Sequence, residues 1–163
     1  MSSKFNSRTS WRDKLERRQE PKIVDIPPRM AHFGKGTMVI PRPLDVDRLI
    51  RHVGHGKLIT VFQLREELAK RNRANVACPL TTGIFIRIAA EAAEEDRRAG
   101  AKAITPYWRV LSKEGALNPK FPGGIAAQRR RLNLEGHRIS KAQGKKPPVV
   151  IDFEKSLARF SSR

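Results

Sequence analysis

This chain has a single cysteine, Cys78, and one thiol forms no intrachain disulfide. Its four histidines, His32, His52, His55 and His137, are scattered rather than set at metal-ligand spacings, so no metal site and no cofactor are expected. Acidic residues are scarce too: 16 Asp and Glu stand against 34 Lys and Arg, a formal net charge of +18. Such a field attracts polyanions and opposes self-association, which makes nucleic acid the expected partner and a monomer the expected state. No apolar run approaches a membrane span, and the cations are not gathered beside a Trp/Leu face on one amphipathic helix, so a membrane partner is not expected. The opening residues Met1 to Arg8 lack the hydrophobic middle of a signal peptide. With a reducing compartment implied by the lone thiol, the expectation is a cytoplasmic, nucleoid-associated protein, and the Ser/Arg-rich start leaves organellar targeting as the alternative.

What is present is organised in the middle of the chain. From Met1 to about Glu20 only Trp11 and Leu15 are apolar at helical spacing, so this region reads as a tail with one short helix. Pro27-Pro28 and Gly34-Lys35-Gly36 punctuate a loop before a short strand at Met38-Val39-Ile40, and the ordered domain is expected to begin near Pro41. Leu44, Leu49, Ile50 and Val53 mark a first helix stopped by Gly54 and Gly56. Thr60 and Gln63 have the form of a capping box opening a second helix, which ends near Arg71. After a polar link, Thr81 or Thr82 caps a third helix that carries Ile84, Phe85, Ile88, Ala89 and Ala92 and stops at Gly100. Two helices joined by a short link predict a helix-turn-helix. The β-branched and aromatic stretch from Ala103 to Leu111, with the Lys113-Glu114-Gly115 turn, reads as a hairpin or wing. A fourth helix runs from Ile125 to Glu135, a terminal hairpin follows around Arg138-Ile139 and Val149-Val150-Ile151, and Phe153 to Phe160 forms a last helix.

These landmarks have a further order. Gly56 to Leu64, then Thr82-Gly83-Ile84, Pro106-Tyr107-Trp108-Arg109-Val110, Gly115 to Asn118, Pro122-Gly123-Gly124 and Leu134-Glu135-Gly136 follow one another along the chain. In that order they resemble the DNA-binding domain of the methylated-DNA-protein cysteine methyltransferases, which move an alkyl group from guanine to their own cysteine. The resemblance spans roughly residues 39–136. It implies a mostly α fold with a small β wing: a winged helix-turn-helix at 39–136, a basic, partly disordered extension at 1–38, and a hairpin and helix extension at 137–163. The family's Pro-Cys-His-Arg-Val motif stands here as Pro106-Tyr107-Trp108-Arg109-Val110. Tyr107 replaces the nucleophile, Trp108 replaces the activating His, and Glu135 keeps the family's Glu position. Transfer needs a thiolate held beside a base, and a phenol with an ordinary pKa near ~10 is a poor acceptor at neutral pH. The pattern is similar to the alkyltransferase-like proteins, which bind damaged DNA without repairing it, so no enzyme is expected. Two departures go with it: the family's wedge Arg falls at Leu80 and its first-helix Tyr at Val61, while the stretch from Gly83 to Pro106 is longer than usual and carries Glu91, Glu94, Glu95 and Asp96.

The vestigial pocket is therefore assigned to Pro106, Tyr107, Trp108, Arg109 and Glu135. Tyr107 and Trp108 divide evenly between base stacking and core packing, and Arg109 leans to a buttressing role. The DNA-contact set is Thr60, Gln63, Arg65, Arg71, Arg73, Leu80, Thr81, Thr82 and Gly83. Arg129-Arg130-Arg131 and Lys141, Lys145 and Lys146 are left open between phosphate contact and a solvated face. The leading expectation is a non-catalytic protein binding duplex DNA, with alkylated guanine as an extension. The alternatives are a basic protein of RNA or ribonucleoprotein, and alkyl transfer to Cys78.

Overall fold

Three helices at the centre form where local chemistry directs them. In the computed structural model, which describes residues 9–160, the first of the three is α2, Pro43–Arg51. Pro43 presets the first turn, and the Arg42 guanidinium donates to the Asp45 carboxylate at 2.8 and 3.0 Å. It buries Val46, Leu49 and Ile50, each contributing about 1.5–3 kcal/mol by leaving water. The capping box expected at Thr60 opens α3, Val61–Arg71: Gln63 N–H donates to Thr60 Oγ1 at 3.1 Å, and Thr60 N–H to Gln63 Oε1 at 3.0 Å. The long helix α4, Pro79–Arg98, starts earlier than expected, with Cys78 at the N-cap. Neither Thr81 nor Thr82 caps it, because Pro79 already supplies a preset first-turn φ and has no N–H to satisfy. Thr82 instead turns inward and donates to the Cys78 carbonyl at 2.7 Å. Ala89, Ala90, Ala92 and Ala93 are buried, and their small side chains let other elements approach α4 closely on several sides.

Sheet content is small, and α3, the link and α4 make the helix-turn-helix at the centre of a mostly helical fold. The strand expected at 38–40 is β2, Thr37–Ile40; it pairs antiparallel with β1, Lys22–Asp25, and parallel with β4, Val76–Ala77, inside the link. The hairpin expected from 103 to 115 does not form. Tyr107–Arg109 make a 3-10 turn, and β5, Val110–Leu111, pairs parallel with β3, Ile59–Thr60, instead of with its own continuation. Gly115 then turns at φ +85°, where a Cβ would stand 2.3 Å from the Phe153 ring. The final helix, here α5, spans Gly124–Leu134. The terminal hairpin is present, with Ile139 opposite Val150 and Ala116 opposite Val149. Phe153–Ser156 form a 3-10 turn rather than a full helix, because the next residues are drawn into extended contact: Ala158 N–H donates to the Leu58 carbonyl at 2.7 Å and Gln63 Nε2 to the Ala158 carbonyl at 2.9 Å. No helix among the described residues is long and apolar enough to cross a membrane.

Ordered structure begins well before Pro41. Helix α1, Trp11–Glu16, is capped by Ser10, whose side chain accepts from Asp13 N–H. Leu15 is fully buried in the main core and Trp11 packs against it. The Glu95 carboxylate on α4 accepts from the backbone N–H groups of Trp11 and Arg12, each at 3.0 Å, and the Arg12 side chain pairs with Asp96. Trp11 and Leu15 thus mark a docked helix, a role that helical spacing alone does not separate from a tail. The Ser/Arg-rich start at 1–8 lies outside the described residues. Leu15→Ala is expected to cost about 2–5 kcal/mol of stability, read from urea denaturation; a dispensable tail would lose nothing.

Candidate nucleic-acid interface

The motif at 106–109 is held from beneath. Thr105 is buried and donates to Asp47 on α2 at 2.7 Å, and Tyr107 N–H donates to the Thr105 carbonyl at 2.8 Å, which closes the turn. Tyr107 is 3% exposed; its ring meets Trp108 and Phe121 edge-on, each at 5.4 Å between centroids. Its hydroxyl donates to Glu94 Oε1 at 2.7 Å. The same carboxylate accepts from Arg131 Nη2 and Arg97 Nε, both at 2.6 Å. A second node forms at Glu135, which accepts from Trp108 Nε1 at 3.0 Å and from Arg109 Nε and Nη2 at 2.8 and 2.7 Å. Arg109 also donates to the Val53 carbonyl at 2.6 Å, so it ties three segments together as a buttress.

These networks decide the charge states. Burial alone would raise both carboxyls, but hydrogen bonds from Arg97 and Tyr107, with the charge of Arg131, hold Glu94 below its ordinary value. Arg109 and Trp108 do the same for Glu135. Burial, reinforced by the bond to Glu94, drives the Tyr107 phenol far above its ordinary range. A hydroxyl that donates to an ionised carboxylate and resists ionisation is a poor nucleophile, and Glu135 spends its oxygens on Trp108 and Arg109. The arrangement is built to hold shape and charge.

Above Tyr107 lies an open cleft of about 520 Å³ between α4 and α5. Arg97 and Arg98 rim one side and Arg130 and Arg131 the other, and Leu134, 79% exposed, stands at the lip. The Arg131 guanidinium stands over Trp108, 4.3 Å from the ring centroid, and is held there as well as by Glu94. Gly123, at φ +78°, forms part of the wall, where a Cβ would sit 2.5 Å from the Ala127 Cβ. Sequence reasoning missed Arg97, Arg98 and Leu134 and left Arg130 open. The available signal was a pair of adjacent cations at the end of a helix, a pattern that also describes an ordinary solvated face.

The contact set expected around the helix-turn-helix lies elsewhere. Thr60, 4% exposed, and Thr82, fully buried, offer no side chain to a partner, and Gln63 is committed to Thr60 and Ala158; these three position the helices. Arg65 lies between Phe33 and Phe62, its guanidinium 5.8 Å from each ring centroid. Arg71 pairs with Glu67 at 2.8 Å. Arg73 is exposed in the link, at φ 55°. Thr81 is half-buried, and its hydroxyl has no protein partner. Leu80 is 68% exposed and shares one exposed helix face with Gly83, Ile84 and Arg87.

The two groups stand at opposite ends of α4. Fourteen residues separate Leu80 from Glu94, roughly 21 Å at 1.5 Å per residue. That is about six base steps of duplex at 3.4 Å each, so Leu80 does not fill the slot left by a base drawn into the cleft. Cys78 is about 24 Å from Glu94 by the same measure and is buried, which separates the only thiol from the motif.

The pH dependence of folding follows from these shifts. His137, held down by burial, contributes stability above its unfolded value of 6.5 that is lost as pH falls through its lower folded value. Glu94 and Glu135 contribute stability above 4.5 that is lost as pH falls further, through their depressed values. Urea denaturation from pH 8 to pH 3 should therefore show a plateau, a shallow decline below ~6.5 and a steeper one below ~4.5. Glu135→Gln is expected to cost about 3–5 kcal/mol at pH 7, by breaking a buried charge pair, and to flatten the acid limb.

No family model and no curated protein matches the chain. Among solved structures, S. pombe Atl1 in complex with damaged DNA containing O6-carboxymethylguanine is similar at 15% identity and a TM-score of 0.47, over 72% of this chain and 94% of that one. S. pombe ATL in complex with DNA is similar at 14% identity and a TM-score of 0.49, over the same shares.

Proposed function

We propose that this protein is a non-catalytic DNA-binding protein that grips duplex phosphates with the arginine rim of the α4–α5 cleft. The observation that carries this reading is the cleft itself. Arg97, Arg98, Arg130 and Arg131 converge on a cleft lined by Tyr107, the one of the five expected pocket residues that reaches it; Pro106, Trp108, Arg109 and Glu135 lie outside its lining. Planar guanidinium groups suit phosphate oxygens, and two of them, Arg97 and Arg131, are already oriented by Glu94. The net charge of +18 supplies the long-range attraction. The exposed α4 face of Leu80, Ile84 and Arg87 is the helix-turn-helix surface available to a groove. A cytoplasmic, nucleoid location belongs to the same reading.

Recognition of an alkylated base is its extension. The cleft volume falls in the class that holds small ligands, roughly 300–1000 Å³, and the planar Arg131 guanidinium offers a surface for stacking. The base would enter without help from Leu80, so the wedge role is transferred to Leu134, exposed at the lip. Alkyl transfer is disfavoured on chemical grounds: Cys78 is buried far from the cleft, and the Tyr107 hydroxyl is held protonated.

The test is duplex binding across a salt series. Log affinity should fall linearly with log salt, and Arg98→Ala with Arg130→Ala should lower the slope by about 1.8, at ~0.9 for each phosphate no longer neutralised. Absence of binding at low salt would sink the reading. Structured RNA that outcompetes duplex DNA would redirect it to RNA, and equal affinity for alkylated and plain duplexes would remove the extension. Intact mass after incubation with alkylated duplex should show no gain.

A further inference from the structure

Several cations are already committed to acids: Arg12, Arg42, Arg51, Arg71, Arg97, Arg109 and Arg131 all pair with a carboxylate. Four others are gathered on one projecting hairpin. From Gly136 to Ile151 there is no acidic residue, while Arg138, Lys141, Lys145 and Lys146 fall within it. All four are exposed, and none takes part in an ion pair among the described residues.

The segment is also built rather than loose. Ser140 N–H donates to the Val149 carbonyl at 2.8 Å, Ile151 N–H to the Arg138 carbonyl at 2.8 Å and Lys146 N–H to the Gln143 carbonyl at 3.0 Å, which makes a hairpin turning at Gly144. Its base is anchored by Val150, 1% exposed in the second core, and by Leu117 N–H donating to the Pro148 carbonyl at 3.0 Å. Residues 141–147 all project into solvent. Pro147 and Pro148 bring no N–H groups, so this edge is poorly suited to pairing with another strand. The hairpin leaves directly from the cleft wall: Leu134 lines the cleft, and Lys141 follows seven residues later, a reach of at most ~24 Å. That is less than one turn of duplex, about 34 Å.

We propose that the 138–150 hairpin is a second phosphate-contacting arm, a basic wing that engages the duplex held at the cleft through Lys141, Lys145 and Lys146. This rests on the duplex-binding reading above and adds to it a contact surface outside both the cleft and α4. A solvated hairpin kept only for solubility needs no anchored base. Unpaired ammonium groups on a fixed arm match a backbone carrying one negative charge per phosphate, and they read no sequence.

The experiment uses the full chain with Lys141→Ala, Lys145→Ala and Lys146→Ala combined, and a matched triple Lys→Arg variant. The alanine triple should lower the salt slope for duplex binding by about 2.7 and weaken affinity at least tenfold at low salt, while the arginine triple retains both. Acetylation of lysines in the wild-type protein, mapped by mass spectrometry, gives a readout independent of the variants' folding. A plain duplex should protect Lys145 and Lys146 and leave Lys155 reactive. Wild-type binding with an unchanged slope in the alanine triple and no protection overturns the wing alone. No duplex binding by the wild type overturns the cleft reading and the wing with it. Protection by phosphatidylserine vesicles but not by duplex overturns the wing in favour of a lipid surface.

Discussion

The structure depends on one buried carboxylate. Glu94 is 5% exposed in the last turns of α4, and an ionised carboxyl taken from water costs several kcal/mol unless it is paired and hydrogen-bonded. Tyr107, Arg131 and Arg97 supply those partners from the motif turn, from α5 and from one turn further along α4. Satisfying a single charge therefore fixes the distance between α4 and α5, seats the aromatic floor and aims two guanidinium groups at the mouth of the cleft. Glu135 repeats the device on the other side, with Trp108 and Arg109.

The acidic residues of α4 would otherwise work against a polyanion. Glu94 is neutralised by the cleft, Glu95 by the N-terminal backbone of α1, and Asp96 by Arg12, while Glu91 stays half-exposed one turn beyond Arg87. The docking of α1 thus has an electrostatic consequence as well as an apolar one, since Leu15 brings the groups that mask Glu95 and Asp96. What remains exposed on α4 is the face of Leu80, Ile84 and Arg87 and the cations at its C-terminal end. The positive field is shaped less by where Lys and Arg are numerous than by where acids leave them unpaired.

The motif at 106–109 acts as a scaffold. With Tyr107 donating to an ionised carboxylate and Trp108 and Arg109 donating to Glu135, the polar side-chain atoms of the motif are engaged in holding geometry. The dipoles and charges of the motif are thereby preset. The length of α4 then separates the cleft from the helix-turn-helix end, so the protein has two surfaces, joined by one rigid element, where the sequence pointed to one.

Read as a string, the chain determined what depends on neighbours in sequence. The Thr60–Gln63 capping box and the helix stops at Gly100 and Gly136 follow from interactions a few residues long, and the apolar run at 38–40 marked a strand whose partners lie far along the chain. The order of landmarks placed Tyr107, Trp108, Arg109 and Glu135 together; Trp108 and Arg109 do meet Glu135, while the Tyr107 hydroxyl turns to Glu94. Tertiary structure alone decided the rest. Burial turned Thr60 and Thr82 inward, β3 rather than a hairpin partner took β5, and Leu15 was drawn under α4. The cleft joins Arg97 and Arg98 to Arg130 and Arg131 across more than thirty residues of sequence, and such pairing is set by which surfaces pack and which charges must be neutralised there. No local pattern encodes that, because the energy that selects it is spent between elements rather than within them.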